Sequence, residues 1–552
     1  MVAENIKRSL TYVGLKYQII EPGDMLTSLF GETRFAAIIL AAESALQFLP
    51  VKEALDFCKK GGTLFIGIHG WNPEFVNSVG ILPLGRSLPN FFLGEGITSR
   101  RPLFLDATIN IQRANFKCSA LNLDCSAEWT RILDYKFPGG IPMLAERSFG
   151  EGRIVFWNSD CLHQKDFRGL FLFSLLRNLP FGIMNIWNTI LIQIDDSPPP
   201  AFGIWSGLVA RDFGLSDRQF YLNKWYDQVL SLLWRHDIKP THFTCLQYAG
   251  NITPPFPPGC DRKDFFVSSL EKIRKSHAEI GFHGFNHQSL TLTAGPWGQW
   301  PNQEMMEEGL KLGKATWEEM QLPMPFSYAA PNNIMDAAGK RALAKVFPSI
   351  KAIFRLYINE NDPWAREPLT SSGGDEFGPD PDVPGLFDIP RMSSGYHADD
   401  VVSFSILNGV MAHGLVNHYF HPDDLYDEKR SRDKSWEFLL AALERLLKYI
   451  DKIMPKGRKI FGKEFIMDIK RDFSTVVDVE SIATQTLRLT RHGEGKRYWY
   501  LFTHPPFRFI DMEGGQLISI LEDDSLFLIE LASQVTSLHF SRNDERKSPG
   551  TH

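Results

Sequence analysis

Ile190-Leu191-Ile192-Gln193-Ile194-Asp195-Asp196-Ser197-Pro198-Pro199-Pro200 is the stretch on which the reading of this chain turns. Residues 190–194 form a short, nearly continuous apolar run, the pattern of a strand buried on both faces. The run stops at two adjacent carboxylates. Desolvating them is costly unless a cation or hydrogen-bond donors meet them. Successive strand residues point to opposite faces, so Asp195 and Asp196 share one site only if the pleat relaxes there. The Ser197-Pro198-Pro199-Pro200 run is expected to supply that break, since proline cannot continue a ladder.

Outward from this run, apolar strands and helical patterns alternate over residues 186–464. Gln219 to His236 has a helical stripe of Tyr221, Trp225, Val229 and Leu232. Thr241 to Leu246 reads as a strand, Phe265 to His277 as a helix and Glu279 to Phe282 as a strand. Asn302 to Met320 reads as a long helix, with Ser349 to Tyr357 and Gly414 to Phe420 as later strands. Repeated βα units of this length build a barrel, in which chemistry collects where strands end.

Two more strand ends carry unusual residues. Gly281-Phe282-His283-Gly284-Phe285-Asn286-His287 places two imidazoles at i, i+4, expected on one face of a helical turn and able to converge on one ion. Asn417-His418-Tyr419-Phe420-His421-Pro422 closes a strand with a histidine suited to titrate near neutrality. Singly these patterns are weak; the order Asp-Asp, His-x-x-x-His, strand-terminal His-Pro is specific.

That order, over about residues 186–430, resembles the polysaccharide deacetylase family (NodB homology), whose members fold as a partly open (β/α) barrel and remove acetyl groups from sugars. The resemblance implies that Asp196, His283 and His287 ligate one divalent metal ion, Zn²⁺ with Co²⁺ or Ni²⁺ as the other candidates. It implies Asp195 as general base and His421 as general acid. The family's next motif carries an Arg, a Pro and a Gly. Here it reads Tyr328-Ala329-Ala330-Pro331-Asn332-Asn333. Ala329 stands where the Arg that steadies the base is expected, Asn333 replaces the Gly, and the backbone N–H near Asn332 is left to serve an oxyanion. Arg391, in Phe387-Asp388-Ile389-Pro390-Arg391-Met392, is the expected substitute, and Asp388 is expected to orient His421.

The flanking regions differ. In residues 1–185, Phe35 to Leu40 and Thr63 to Ile68 are buried strands around a Val51 to Lys60 helix, and Met143 to Trp157 is a hairpin turned at Phe149-Gly150-Glu151-Gly152. A parallel, flavodoxin-like sheet is expected, and this half resembles class I glutamine-amidotransferase-like domains. Such domains place a cysteine at a strand-to-helix elbow. The strand here ends Gly67-Ile68-His69-Gly70, and Cys58 and Cys161 stand at no such turn, so a non-catalytic domain is expected. Short strands between glycine turns make 465–540 a small antiparallel β domain, and 541–552 a disordered tail. The fold expected for the whole is therefore a multidomain α/β protein.

Composition narrows the function. Hydrophobic residues at 43% and charged residues at 22% exclude a wholly disordered chain. A net charge of −6 over 552 residues argues against nucleic acid as the partner. The apolar region Phe171 to Ile194 is interrupted by Arg177, Asn178, Pro180 and Asn185, so no membrane span is expected. No CxxC pair and no leader after Lys7 and Arg8 point to a cytoplasmic location, or to an extracellular one if a leader has been removed. The expected function is metal-dependent hydrolysis of an acetyl amide or ester on a carbohydrate. Two other classes fit the same residues. One is a two-carboxylate glycoside hydrolase, using Asp195 with Asp424 or Asp388. The other is a non-catalytic carbohydrate-binding protein. A small non-sugar amide is a third substrate option.

Overall fold

The structure is a computed structural model and describes residues 1–21, 30, 35–84, 89–205, 207–257, 259–260, 263–293, 299–358, 375–483 and 485–542. It is a mixed α/β chain with five sheets among the described residues. The apolar run that opened the reading is the strand Thr189–Ile194, buried along its whole length.

This strand lies inside a mostly parallel sheet. One side runs through Thr241–Thr244, Glu279–Phe282, Ser327–Ala329, Ala352–Phe354 and Phe387–Asp388; the other runs through Leu415–Phe420 to Ser393–Ser394. Residues Phe387 to Ser394 therefore touch both edges, pairing with Ala352–Phe354 at one end and with Leu415–Phe420 at the other. A sheet whose two edges meet in one segment is curled, and strand ends that are far apart in sequence share one rim.

The first sheet corrects the parallel expectation. Only Ala37–Leu40, Thr63–Ile66 and Gly152–Trp157 run parallel to one another. Pro142–Phe149, Thr130–Phe137 and Phe91–Ser99 join them antiparallel. The cause is connection length: a tight hairpin can only reverse the chain, whereas a parallel neighbour needs a crossover. At the hairpin, Gly150 has φ +65° and a Cβ there would lie 2.4 Å from Lys59 Cα, so the turn packs on the preceding helix without a side chain. That helix, Val51–Lys59, holds Cys58, whose thiol burial pushes up to about 12; burial raises Cys161 as well.

The last region is two four-stranded antiparallel sheets sharing one core that includes Trp499, Leu501, Phe527 and Leu538. Two features depart from the sequence reading. Phe181–Ile186, whose residues 181–185 are assigned there to the first region, pairs with Tyr498–Thr503. Residues 465–473, assigned to the β region, belong to the helix Gly462–Phe473, which buries Phe465, Ile466 and Ile469 at helical spacing. Of the expected disordered tail, Ser541 and Arg542 close the strand Val535–Arg542, and 543–552 lie outside the described residues. No helix among the described residues is long and apolar enough to cross a membrane. The stretch Phe171 to Ile194 divides between a helix and two strands.

Candidate metal centre

Asp195 and Asp196 follow the Thr189–Ile194 strand directly. Asp195 still donates its N–H to Phe420 O (3.1 Å), but Asp196 has φ +48°. The pleat breaks at Asp196 itself, one residue earlier than the proline run suggests. The turn is held by Ser197 N–H on Phe243 O (3.1 Å) and by Thr244 Oγ1–H on Ser197 O (2.8 Å). This left-handed residue lets both carboxylates reach one rim.

His283 leaves the strand Glu279–Phe282 and is 2% exposed. The expected helical turn is absent: residues 285–287 are bends, Gly284 has φ +99° and His287 has φ +57°. The two rings converge through left-handed backbone, not through helical spacing. His287 Nε2 lies 3.2 Å and His283 Nε2 3.5 Å from Asp196 Oδ1, and the three donor atoms all lie within 4.8 Å of one another. Two ligand atoms about 2.1 Å from a tetrahedral ion stand roughly 3.4 Å apart. The observed spacings match that arrangement.

The donor chemistry also fits a cation. His283 Nδ1 lies 2.9 Å from Ala329 O, which can only accept, so Nδ1 carries the hydrogen and Nε2 presents its lone pair to Asp196. A lone pair facing a buried carboxylate is repulsive unless a positive charge lies between them. Burial works to raise the Asp196 carboxyl, but His287 and then His283 hold it well below the usual range. Burial lowers His283, whereas Asp196 overcomes burial to raise His287. Tyr248 completes the wall: its hydroxyl lies 3.1 Å from Asp196 Oδ1 and 2.8 Å from Pro198 O, and its ring stands 5.4 Å from His287. Sequence reading missed Tyr248; its position just beyond the strand Thr241–Thr244 was the available signal.

Asp195 faces two further groups. Arg391, 1% exposed, donates from Nη1 to Asp195 Oδ2 (2.5 Å) and from Nη2 to Asn333 Oδ1 (2.5 Å). Its guanidinium carbon sits 3.6 Å over the Tyr419 ring, fixing the fork from the side. Arg391 reaches Asp195 from the segment that joins the sheet edges. His421 Nε2 lies 4.0 Å from the same Asp195 oxygen.

Asp424 orients His421; Asp388 does not. Asp388 is held by Lys340 Nζ at 2.7 and 3.0 Å. Asp424 lies in the turn Pro422–Tyr426, where Oδ1 is 3.1 Å from His421 Nδ1 and Oδ2 accepts the His421 N–H (3.2 Å). Proximity along one turn puts it there. Arg430 Nη1 also lies 3.1 Å from Nδ1, but it has Asp424 Oδ1 at 2.6 Å as acceptor, and an Nδ1–H directed at the carboxylate satisfies all three groups. Burial would lower His421, yet Asp424, then Asp195 and Asp196, push it up to about 10. Asn332 and Asn333 both have φ +56°, and Asn332 Nδ2 donates to Ser289 Oγ (3.2 Å).

The family model described as "Uncharacterised protein conserved in bacteria (DUF2194)" matches residues 1–528. The chain belongs to the DUF2194 family. No curated protein sequence matches it. Among solved structures, this DUF2194 chain is similar to a family 4 carbohydrate esterase from Streptomyces lividans in complex with acetate. The identity is 13%, covering 50% of this chain and 98% of that one, with a TM-score of 0.26. The Xyl-CE4 domain of a multidomain xylanase from the hindgut metagenome of Trinervitermes trinervoides gives 11% identity, 50% and 89% coverage and a TM-score of 0.26. A wild-type CE4 family pseudoenzyme from Bacillus anthracis gives 13% identity, 51% and 66% coverage and a TM-score of 0.27. Within the DUF2194 chain, Asp195, Asp196, His283, His287, Arg391 and His421 meet at one rim, with Asn332 in the adjoining turn.

Proposed function

We propose that this protein is a metal-dependent deacetylase acting on an acetylated saccharide, with release of acetate. The carrying observation is the convergence of Asp196, His283 and His287 at ligand spacing beside a carboxylate held by Arg391. Asp196, His283 and His287 would hold a divalent ion, which would supply Lewis-acid activation of water and of the acetyl carbonyl. Asp195 takes the proton of the attacking water, its carboxylate kept in place by Arg391 Nη1. The carbonyl π bond opens as the C–O bond to water forms, and the Asn332 N–H serves the resulting oxyanion. His421 then gives its Nε2 proton to the leaving nitrogen as the C–N bond breaks, and Asp424 balances the imidazolium charge. Products are acetate and a free amine, or an alcohol from an O-acetyl ester.

The test is acetate release from a panel of N- and O-acetylated saccharides, on chelator-treated protein with and without Zn²⁺, Co²⁺ or Ni²⁺. Metal-restored release is the expected outcome. Glycosidic cleavage that persists in chelator would assign the site to a two-carboxylate glycosidase instead.

A further inference from the structure

A cavity of about 700 Å³ opens beside the candidate metal centre, within the size range of small-molecule sites. Pro200, four residues after Asp196, and Asp423, two after His421, belong to its lining. Arg430 links cavity and centre: it lies 3.6 Å from Asp423 and 2.6 Å from Asp424 Oδ1, the carboxylate oxygen 3.1 Å from His421 Nδ1.

The lining combines rings with unspent polar groups. Tyr221 is 1% exposed and lines the cavity, and its hydroxyl makes no hydrogen bond among the described residues. Asp423 Oδ1 and the Tyr426 hydroxyl are also buried without partners. Such groups are costly in a dry site, which points to a polar ligand. Phe202 adds an exposed ring at the rim.

The charge is one-sided. Glu428 and Asp433 line the mouth, are exposed, and make no ion pair among the described residues. Arg211 is the lining cation, and Asp212 already pairs with it through Nε (2.5 Å) and Nη2 (2.9 Å). Arg430 lies 3.6 Å from Asp423 but is shared with Asp424 and Asp427. Carboxylates with aromatic walls suit a cation that also presents an apolar C–H face. A neutral saccharide offers the carboxylates hydroxyl donors but no countercharge, and a bare metal ion has no need of the rings.

We propose that this cavity is a subsite for a saccharide unit bearing a free ammonium, so that the site next to it acts on chains already partly deacetylated. The inference rests on the deacetylase reading above, whose product carries that ammonium group.

The test is calorimetric binding to the full chain in chelator, under mildly acidic conditions and low salt. The probes are β-1,4-linked diglucosamine, its diacetylated form and cellobiose. The diamine is expected to bind roughly tenfold or more tightly than cellobiose. In a Glu428→Gln/Asp433→Asn variant, and in high salt, that preference is expected to fall to about twofold or less. Both substitutions are at exposed positions outside the catalytic groups. Equal affinity of the wild type for diamine and cellobiose would overturn the subsite, as would an unchanged preference in the variant. Acetate release from a singly acetylated saccharide, followed in parallel, separates the two proposals. Preference without acetate release keeps the subsite and sinks the deacetylase; acetate release without preference does the reverse.

Discussion

Removing Arg391 tests whether the site is organised around Asp195. The guanidinium is wholly buried, and its Asp195 partner is 2% exposed. Arg391→Met leaves that carboxylate without its cation. Breaking a buried ion pair from one side costs about 3–5 kcal/mol, most of it the stranded charge. Asn333 Oδ1 loses its donor as well, worth about 1 kcal/mol. A chain of this size does not unfold as one two-state unit. The assay is therefore amide hydrogen exchange in chelator, read on the strand Thr189–Ile194, which Asp195 follows, and on Leu415–Phe420, whose Tyr419 ring lies under Arg391. Together, a loss of about 4–6 kcal/mol means exchange faster by roughly a thousandfold to ten-thousandfold, since 1.4 kcal/mol is tenfold. Asp195→Asn/Arg391→Met removes the stranded charge too, and is expected to regain all but about 1–2 kcal/mol. Arg391→Lys keeps the charge but not the fork; it is expected to retain most protection and lose roughly a hundredfold in kcat through misplacement of the base. Exchange in Arg391→Met within about tenfold of wild type, or no recovery in the double variant, would refute the reasoning.

Three other outcomes are expected. His283→Ala should lose bound metal and acetate release together, whereas His421→Ala should keep one metal per chain and lose roughly 10²–10⁴-fold in kcat; elemental analysis alongside kinetics separates the two. Asp424→Asn removes the first carboxylate that raises His421 to about 10. The acid works only while protonated, so the alkaline limb of the kcat profile should move to lower pH. Because His421 is raised in the folded state, its stabilising effect is full below about pH 6.5 and is lost as pH climbs toward about 10, so the stability cost of Asp424→Asn should shrink over that window. Tyr248→Phe removes the hydroxyl beside Asp196 and should weaken metal binding by roughly 10–100-fold, measured by competition with a chelating dye.

By itself the sequence determined the strand ends and the order of their chemistry. Continuous apolar runs closing in Asp195-Asp196, His283 and His421 are local facts, and local pattern dictates where a buried strand stops. It also singled out Arg391, which the structure places on Asp195. Tertiary structure decided what fills each role. Arg391 and Asp195 are 196 residues apart, and only the segment Phe387 to Ser394, which joins the sheet edges, makes them neighbours. Asp424 displaced Asp388 as partner of His421 because a tight turn outreached a strand already committed to Lys340. The imidazole pair met through positive-φ backbone at Gly284 and His287, which helical spacing does not encode. Phe181–Ile186 crossed to a sheet built some 300 residues later, because an unpaired strand edge takes its partner from space and not from sequence.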